Sequence, residues 1–286
     1  MRLRTLPVSI AGVITGTACA IHAGGRNLLY APLCLLFALL AQIASNFANE
    51  YFDYRAGLDR KGREGFRRGV TEGDISPAAM LTATLITLAT ACLTGLIILL
   101  LSSQWWLLPA GITIAIFALA YSAGPWPLSR HGLGDIAVVI FFGIVPVMLT
   151  SFLICSSSWQ GWSLTLPTSA AIGLLAANVL IVNNYRDYQD DKAVGKHTTV
   201  VLLGPRTMRT AYLLSGYTAM ILTIPLWKDT LHLFSPVIPA IYLLIHTRLW
   251  HQLGHRRGAA LNPLLGNTAR LLLLTALLTS ILLLIS

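Results

Sequence analysis

Residues 78–101 read AAMLTATLITLATACLTGLIILLL, a run of 24 residues without a charged side chain. A helix needs about 20 consecutive apolar residues to cross a bilayer, so this run predicts a membrane-spanning helix. The whole chain shares this character, because 55% of its 286 residues are hydrophobic, 11% are charged and the mean hydropathy is +0.70. Soluble domains carry about 25% charged residues. The composition therefore excludes a soluble globule, and it excludes disorder because disordered chains are poor in apolar residues.

Apolar segments recur along the chain and predict nine membrane spans. Their approximate ranges are 6–23, 28–52, 78–101, 106–122, 135–155, 165–185, 208–226, 233–250 and 264–286. Only helices and closed barrels satisfy their backbone hydrogen bonds inside a bilayer, and these runs have the length of helices. The predicted fold is an all-α membrane protein, a bundle of nine transmembrane helices that forms a single domain over residues 1–286.

The basic residues fall almost entirely on one side of this layout. Eighteen of the 20 Lys and Arg residues lie before span one or in and beside the connections that follow spans two, four, six and eight, whereas Arg26 and Lys228 lie on the other side. The positive-inside rule makes the richer side cytoplasmic. With nine spans, this rule places the N-terminus inside the cell and the C-terminus outside. The predicted location of the protein is the inner membrane. The lipid bilayer is therefore a predicted partner, and the net charge of +9 gives no reason to expect nucleic acid.

Ten of the eleven acidic residues lie on the same side, which the rule for Lys and Arg does not explain. Two clusters stand out. The first, NFANEYFDYRAGLD at residues 46–59, ends span two, and the second, NNYRDYQDDKAVGK at residues 183–196, ends span six. Residues three and four apart share one face of a helix. Each cluster therefore forms a stripe of carboxylate and amide groups.

The two clusters resemble each other at an offset of 137 residues. The offset matches Asn46 with Asn183, Glu50 with Asp187, Tyr51 with Tyr188 and Asp53 with Asp190. Both clusters end even-numbered spans, so the two helices have the same orientation. This predicts two tandem four-helix repeats plus one helix, with both carboxylate stripes meeting on one membrane face.

Carboxylate and amide oxygens are ligands that Mg²⁺ prefers, and Mg²⁺ usually completes its shell with water and substrate phosphates. Two facing stripes would hold such ions around a diphosphate. Nearby basic residues would neutralise the remaining phosphate charge, namely Arg67, Arg68, Arg130, Arg186 and Lys196. The apolar bundle would take a hydrocarbon tail, so a polyprenyl diphosphate fits this pattern.

Two alternatives compete with this interpretation. Acids and bases at helix ends often form only solvated ion pairs, worth about 0–1 kcal/mol each. A transporter also combines polar residues in a bundle with internal repeats. Transporter sites, however, lie near the bilayer midplane, whereas these acids crowd one surface.

At these clusters the sequence resembles the UbiA family of intramembrane aromatic prenyltransferases, whose pattern is N-x-x-N-D-x-x-D on the second helix and D-x-x-x-D on the sixth. The likeness is closest to the menaquinone-pathway branch, which acts on 1,4-dihydroxy-2-naphthoate. It extends to RRGVTEGDISP at 67–77, YSAGPWPLSRHGLGD at 121–135 and GKHTT at 195–199. The resemblance implies a bundle around a central cavity. It also implies Mg²⁺-dependent transfer of a polyprenyl group to the naphthoate with decarboxylation, which gives demethylmenaquinone.

The resemblance also implies roles for individual residues. The implied catalytic residues are Asp53, Asp187, Asp191 and Tyr121. The implied metal ligands are Asn49, Glu50, Asp53, Asp59, Asp187 and Asp191. The expected diphosphate-binding residues are Asn46, Asn49, Arg68, Arg130, Asn183, Asn184, Arg186 and Lys196.

Two positions depart from the family pattern. Glu50 stands where the family usually has Asp, and Pro125 stands where many relatives have Lys, with Arg130 as the nearest base. Another acceptor, such as 4-hydroxybenzoate, homogentisate or a lipid headgroup, stays open as an alternative.

Overall fold

The structure, a computed structural model, describes residues 5–62, 65, 67–229 and 236–285. Nine long helices occupy these ranges, and we label them α1 to α9 in chain order. They are α1 Leu6–His22, α2 Tyr30–Arg55, α3 Pro77–Ser102, α4 Leu108–Ala120, α5 Gly134–Ile154, α6 Trp162–Arg186, α7 Pro205–Leu222, α8 Val237–His255 and α9 Asn262–Ile285. Each predicted span overlaps one of them, although the predicted start of span eight at 233 lies outside the described residues.

Within the described residues, five helical segments are long and apolar enough to cross a membrane: α2, α3, α5, α6 and Gly258–Ile285, which contains α9. Helix α1 and the segment Trp105–Ala120, which contains α4, are apolar but shorter. Arg206 and Arg209 lie in the first turns of α7, which lowers its hydropathy. The all-helical membrane class is confirmed for the described residues. A count of nine crossings and the tandem repeat stay predictions.

Helix α6 lies at the centre of the bundle. In its most apolar stretch of 18 residues 72% are buried, and it packs against α1, α5, α7 and α9. Its contact with α5 is very close. A Cβ on Gly143 would lie 2.3 Å from the Cα of Gly173, so only glycine fits on both helices. Small residues allow membrane helices to approach in this way. The approach occurs where α5 contains a π-helical stretch, Val139–Ile144.

The other half of the bundle is more open. Helix α2 packs on α1, α3, α4 and α5, and α1 joins the two halves because it also contacts α6 and α9. Three connections converge at the end of the bundle where α2, α4 and α6 finish. The connection after α2 contains a short helix, Gly69–Glu72, and the one after α6 contains Tyr188–Ala193 and Thr199–Leu203. The α4–α5 connection pairs with the latter through a parallel bridge between His131 and His197.

Candidate active site

The two acidic clusters meet at Asp53. This residue lies at the end of α2 with no exposed surface, and Lys196 Nζ, from the second cluster, donates to its Oδ2 at 3.0 Å. Arg130 Nη2, from the α4–α5 connection, lies 3.4 Å from its Oδ1. A buried carboxylate is stable only when charges and hydrogen bonds compensate it. These contacts bring the end of α2 together with the connection that follows α6 and with the α4–α5 connection, so the two clusters meet as the sequence predicts.

A second buried ion pair joins the end of α6 to its surroundings. The Arg186 guanidinium donates to Asp187 through Nε at 2.7 Å and Nη2 at 2.8 Å, the two-pronged geometry that arginine favours. It also donates to Asn183 Oδ1 at 3.0 Å and to Asn262 Oδ1, at the start of α9, at 3.1 Å. A Cβ on Gly65 would lie 3.1 Å from Arg186 Nη2. The connection after α2 therefore passes directly over this pair.

Between the clusters lies a small polar pocket of about 20 Å³. It brings together eight of the predicted site residues, namely Asn49, Arg68, Tyr121, Asn183, Asn184, Asp187, Asp191 and Lys196. Arg68 is buried, its Nε lies 3.4 Å from Asp59 Oδ2, and its Nη1 has no hydrogen-bond partner among the described residues. A buried guanidinium N–H without an acceptor is suited to an anion.

Other predicted residues lie beside the pocket and do not line it. Asn46 Nδ2 donates to Thr5 Oγ1 at 3.5 Å, and Glu50 Oε1 accepts the backbone N–H of Val70 at 3.2 Å. Glu50 therefore holds the short helix Gly69–Glu72 in this structure.

Asp53, Asp59 and Arg130 also lie outside the pocket lining. Arg130 pairs with Asp53, and Asp59 pairs with Arg68. Arg130 Nη2 donates to the carbonyl oxygens of Phe52 and Ser122, both at 3.2 Å. The Ser122 hydroxyl accepts from Asn49 Nδ2 at 2.9 Å. The α4–α5 connection is therefore fastened to the end of α2.

The sequence interpretation assigned no role to several further residues of the pocket: Ser129, Asp135, Thr198 and Thr199. All four lie inside the segments that carried the family resemblance. Their closeness depends on the pairing of the α4–α5 and α6–α7 connections, which no local pattern in the sequence announces.

An apolar cavity of about 470 Å³ lies between α1, α2, α3, α4 and α5. Its wall includes the rings of Phe37, Phe117 and Phe141, and Tyr121 lines both this cavity and the polar pocket. The charged and apolar spaces therefore adjoin at one tyrosine.

The cavity has an open flank. Leu96, Ile112 and Ile116 line it and are nevertheless 42%, 50% and 57% exposed. These residues belong to α3 and α4, so the cavity opens sideways between the two helices, where lipid surrounds a membrane protein.

Among the described residues, no group of three or more His, Cys, Asp or Glu side chains is arranged to hold a metal ion by itself. The oxygen donors that line the pocket are nonetheless of the kind that Mg²⁺ takes, and Mg²⁺ commonly relies on water and substrate phosphates for part of its shell. Asn49, Asp187 and Asp191 therefore fit a metal that arrives with a diphosphate.

A charged pocket beside an apolar cavity within a membrane bundle is suited to a substrate with a polar head and a hydrocarbon tail. The model of the UbiA prenyltransferase family matches residues 9–274, and the chain belongs to this family. It is a prenyltransferase and a multi-pass membrane protein.

Individual relatives agree with this assignment. The chain is 40% identical over 210 residues to a 1,4-dihydroxy-2-naphthoate octaprenyltransferase of Escherichia coli, covering 71% of this chain and 67% of the relative. It is 36% identical over 210 residues to the enzyme of that name from Haemophilus influenzae, with the same coverage.

Solved structures share the fold. A UbiA homolog from Aeropyrum pernix superposes with a TM-score of 0.73 at 17% identity, covering 100% of this chain and 98% of that one. A homolog from Archaeoglobus fulgidus bound to GPP and Mg²⁺ gives 0.62 at 19% identity, with 97% and 98% covered.

Proposed function

We propose that the protein transfers a polyprenyl group from polyprenyl diphosphate to 1,4-dihydroxy-2-naphthoate, with loss of CO₂, to give demethylmenaquinone. The observation that carries this proposal is the contact of Lys196 with Asp53, which joins the two clusters beside a cavity for the prenyl tail. The names of the bacterial relatives support the naphthoate as the acceptor.

The polar pocket would bind the diphosphate. Arg68 and Lys196 both line it. Their basic side chains would offset the negative charge of the diphosphate. Their N–H groups would stabilise the charge that develops on the departing diphosphate, a form of electrostatic catalysis. The tail would then run past Tyr121 into the apolar cavity, which places the reacting carbon at the junction of the two spaces.

Mg²⁺ is the proposed cofactor, in keeping with the archaeal homolog bound to GPP and Mg²⁺. In this chain Asn49, Asp187 and Asp191 line the pocket, and Asp53 lies next to it. Bound there, the metal would neutralise part of the diphosphate charge. Glu50 and Asp59 stay proposed ligands, and Glu50 would have to release the Val70 N–H to reach a metal.

The apolar cavity would protect the reaction. Departure of the diphosphate leaves an allylic cation that water would quench, and a lining of phenylalanine and aliphatic side chains excludes water from the tail. An electron-rich ring held at the junction would attack this cation through its carboxyl-bearing carbon, in place of water, and CO₂ would then leave that carbon to restore the aromatic ring. The positions of Lys and Arg support a protein whose N-terminus lies inside the cell and whose C-terminus lies outside. In this orientation the site would face the cytoplasm.

The test is product identity. Membranes that contain the protein are incubated with Mg²⁺, labelled octaprenyl diphosphate and, separately, 1,4-dihydroxy-2-naphthoate, 4-hydroxybenzoate or homogentisate. We expect prenylation of the naphthoate, with release of its carboxyl carbon as CO₂, and loss of activity when Mg²⁺ is chelated. Faster prenylation of either other acceptor would reject the naphthoate. Uptake of a substrate without any product would favour a transporter.

A further inference from the structure

The polar pocket is lined by two sets of groups with different chemistry. One set, from α2, the connection after it and the second cluster, consists of the amides, carboxylates and cations already described. The other comes from the ends of α4 and α5 and the segment before α7, and it comprises Tyr121, Ser129, Asp135, Thr198 and Thr199. Four of these five side chains are hydroxyls, and Asp135 is the single charged one.

Asp135 has a free hydrogen-bonding position. Its Oδ2 accepts a hydrogen bond from Thr199 Oγ1, whereas its Oδ1 is buried and has no hydrogen-bond partner among the described residues. The neighbouring residue, Gly134, lies against Tyr121, because a Cβ there would be 3.4 Å from the tyrosine hydroxyl oxygen. A buried polar atom without a partner costs free energy, so a hydrogen bond from a ligand in the pocket would stabilise this atom.

The chemistry of a carboxylate restricts what this ligand group is. A diphosphate oxygen is itself a negatively charged acceptor and is repelled, and a prenyl tail offers no donor. A hydroxyl group donates, and a hydroxyl-bearing aromatic ring is the second substrate of the proposed reaction. We propose that Asp135 Oδ1 accepts a hydrogen bond from a hydroxyl of the aromatic acceptor, so that Asp135 and Tyr121 define the acceptor side of the pocket. This inference rests on the proposed function.

The proposal assigns different groups of one pocket lining to the two substrates. The diphosphate would lie by Arg68 and Lys196, and the acceptor by Asp135 and Tyr121, where the apolar cavity adjoins the pocket. A hydroxyl that donates to a carboxylate gains electron density, which makes its ring a better nucleophile. The same bond fixes the ring relative to the carbon under attack, and orientation of this kind is a large part of catalysis.

The experiment compares Asp135→Asn with Thr199→Val in the full-length protein in lipid nanodiscs. The dissociation constant of 1,4-dihydroxy-2-naphthoate is measured with Mg²⁺ and inorganic pyrophosphate present, so that no turnover occurs. We expect Asp135→Asn to weaken acceptor binding by about tenfold or more, the value of a hydrogen bond to a charged group. Asp74→Asn, at an exposed pair with Arg67, is the control and should bind the acceptor as the wild type does. Thr199→Val, which removes the hydrogen bond to Oδ2, should weaken acceptor binding less than Asp135→Asn does. Pyrophosphate affinity and thermal stability should stay near wild type for all three variants.

The two mono-O-methyl ethers of the acceptor provide a second measurement. In the wild type, one ether should bind about tenfold more weakly than the parent compound. In Asp135→Asn the Thr199 hydroxyl should keep the amide oxygen, so the amide N–H group faces the acceptor. The parent and that ether should then bind alike, because an N–H group cannot accept a hydrogen bond from the hydroxyl. Equal losses in both proteins would overturn the proposal.

Two further outcomes would also overturn it. An Asp135→Asn variant that needs more Mg²⁺ and binds the acceptor normally would make Asp135 a metal ligand. A Thr199→Val variant that reproduces the whole defect would make Asp135 only a tether. These failures are separate from failure of the proposed function, in which the wild-type protein itself would not prenylate the naphthoate.

Discussion

Replacement of Lys196 by Met tests the contact that joins the two clusters. Its ammonium lies 3.0 Å from Asp53 Oδ2, and the Asp53 side chain is fully buried. At an effective dielectric constant of about 20, two charges at that distance attract by about 5.5 kcal/mol, before desolvation is subtracted. Removal of one partner from a buried pair typically costs about 3–5 kcal/mol, because the other charge is left uncompensated. Arg130, 3.4 Å from the other carboxylate oxygen, still compensates Asp53, so we expect a loss of stability near 2 kcal/mol.

The Lys196→Met variant should also bind diphosphate less well, because Lys196 lines the polar pocket. A hydrogen bond to a charged group is worth about 1.5–3 kcal/mol, or about 10-fold to 150-fold in affinity. Calorimetry with inorganic pyrophosphate and Mg²⁺ measures this loss, and denaturation in nanodiscs measures stability. Lys192→Met is the matched control, since Lys192 is exposed four residues earlier.

The double variant Asp53→Asn/Lys196→Met separates the two effects. If the loss of stability arises from an uncompensated buried carboxylate, neutralisation of Asp53 should restore most of it, although diphosphate affinity should stay low. Two results would refute the reasoning: Lys196→Met and Lys192→Met behave alike, or the double variant is no more stable than Lys196→Met.

Three other predictions concern separate parts of the molecule. Asp187→Asn should lower the rate of product formation by at least about 100-fold, whereas Asp74→Asn, at an exposed pair with an arginine, should retain wild-type activity; comparable activities would contradict the assignment. Gly111 lines the apolar cavity, and a Cβ there meets nothing within 4 Å. A leucine at this position would occupy part of the cavity, so Gly111→Leu should lower kcat/KM for a long prenyl donor relative to a short one by about tenfold. An equal effect on both donors would argue against this path for the tail. Gly173→Ala should destabilise the protein by about 1–3 kcal/mol, as measured by denaturation in nanodiscs, because its Cβ would lie 2.6 Å from a backbone oxygen of α5. Gly266→Ala is the control, with open space at its Cβ, and the same loss there would contradict the packing explanation.

The positions of the helices could be predicted from the sequence because membrane helices must be both long and apolar, and these two properties are local. The predicted start of span two at 28 and end of span six at 185 differ from the observed helices by only a residue or two. The meeting of the two clusters was predictable for a similar reason, since even-numbered spans of one bundle end on one face.

The partners of individual side chains could not be predicted. The sequence places Asn46 and Glu50 on one stripe with Asp53, yet Asn46 contacts Thr5 and Glu50 accepts the Val70 N–H. These contacts depend on how α2 is rotated and on the path of the connection that returns over its end. The spacing of residues along α2 carries no information on either. Residues that share one face of this helix therefore have different partners.

The role of Asp135 illustrates the same limit at longer range. The residue starts α5, and its contact with Thr199 spans 64 positions of the chain. It forms because His131 and His197 bring two connections side by side. A pattern of residues within one helix cannot predict a pocket lining that two connections form together.

The open flank at Leu96, Ile112 and Ile116 would connect the apolar cavity directly with the lipid of the bilayer. A donor that carries a long hydrocarbon chain would then enter, and its prenylated product would leave, by diffusion within the leaflet and not by desorption into the aqueous phase. Substrate supply would be set by the number of donor molecules per lipid, so dilution of the membrane with new phospholipid would slow the proposed reaction without changing the enzyme.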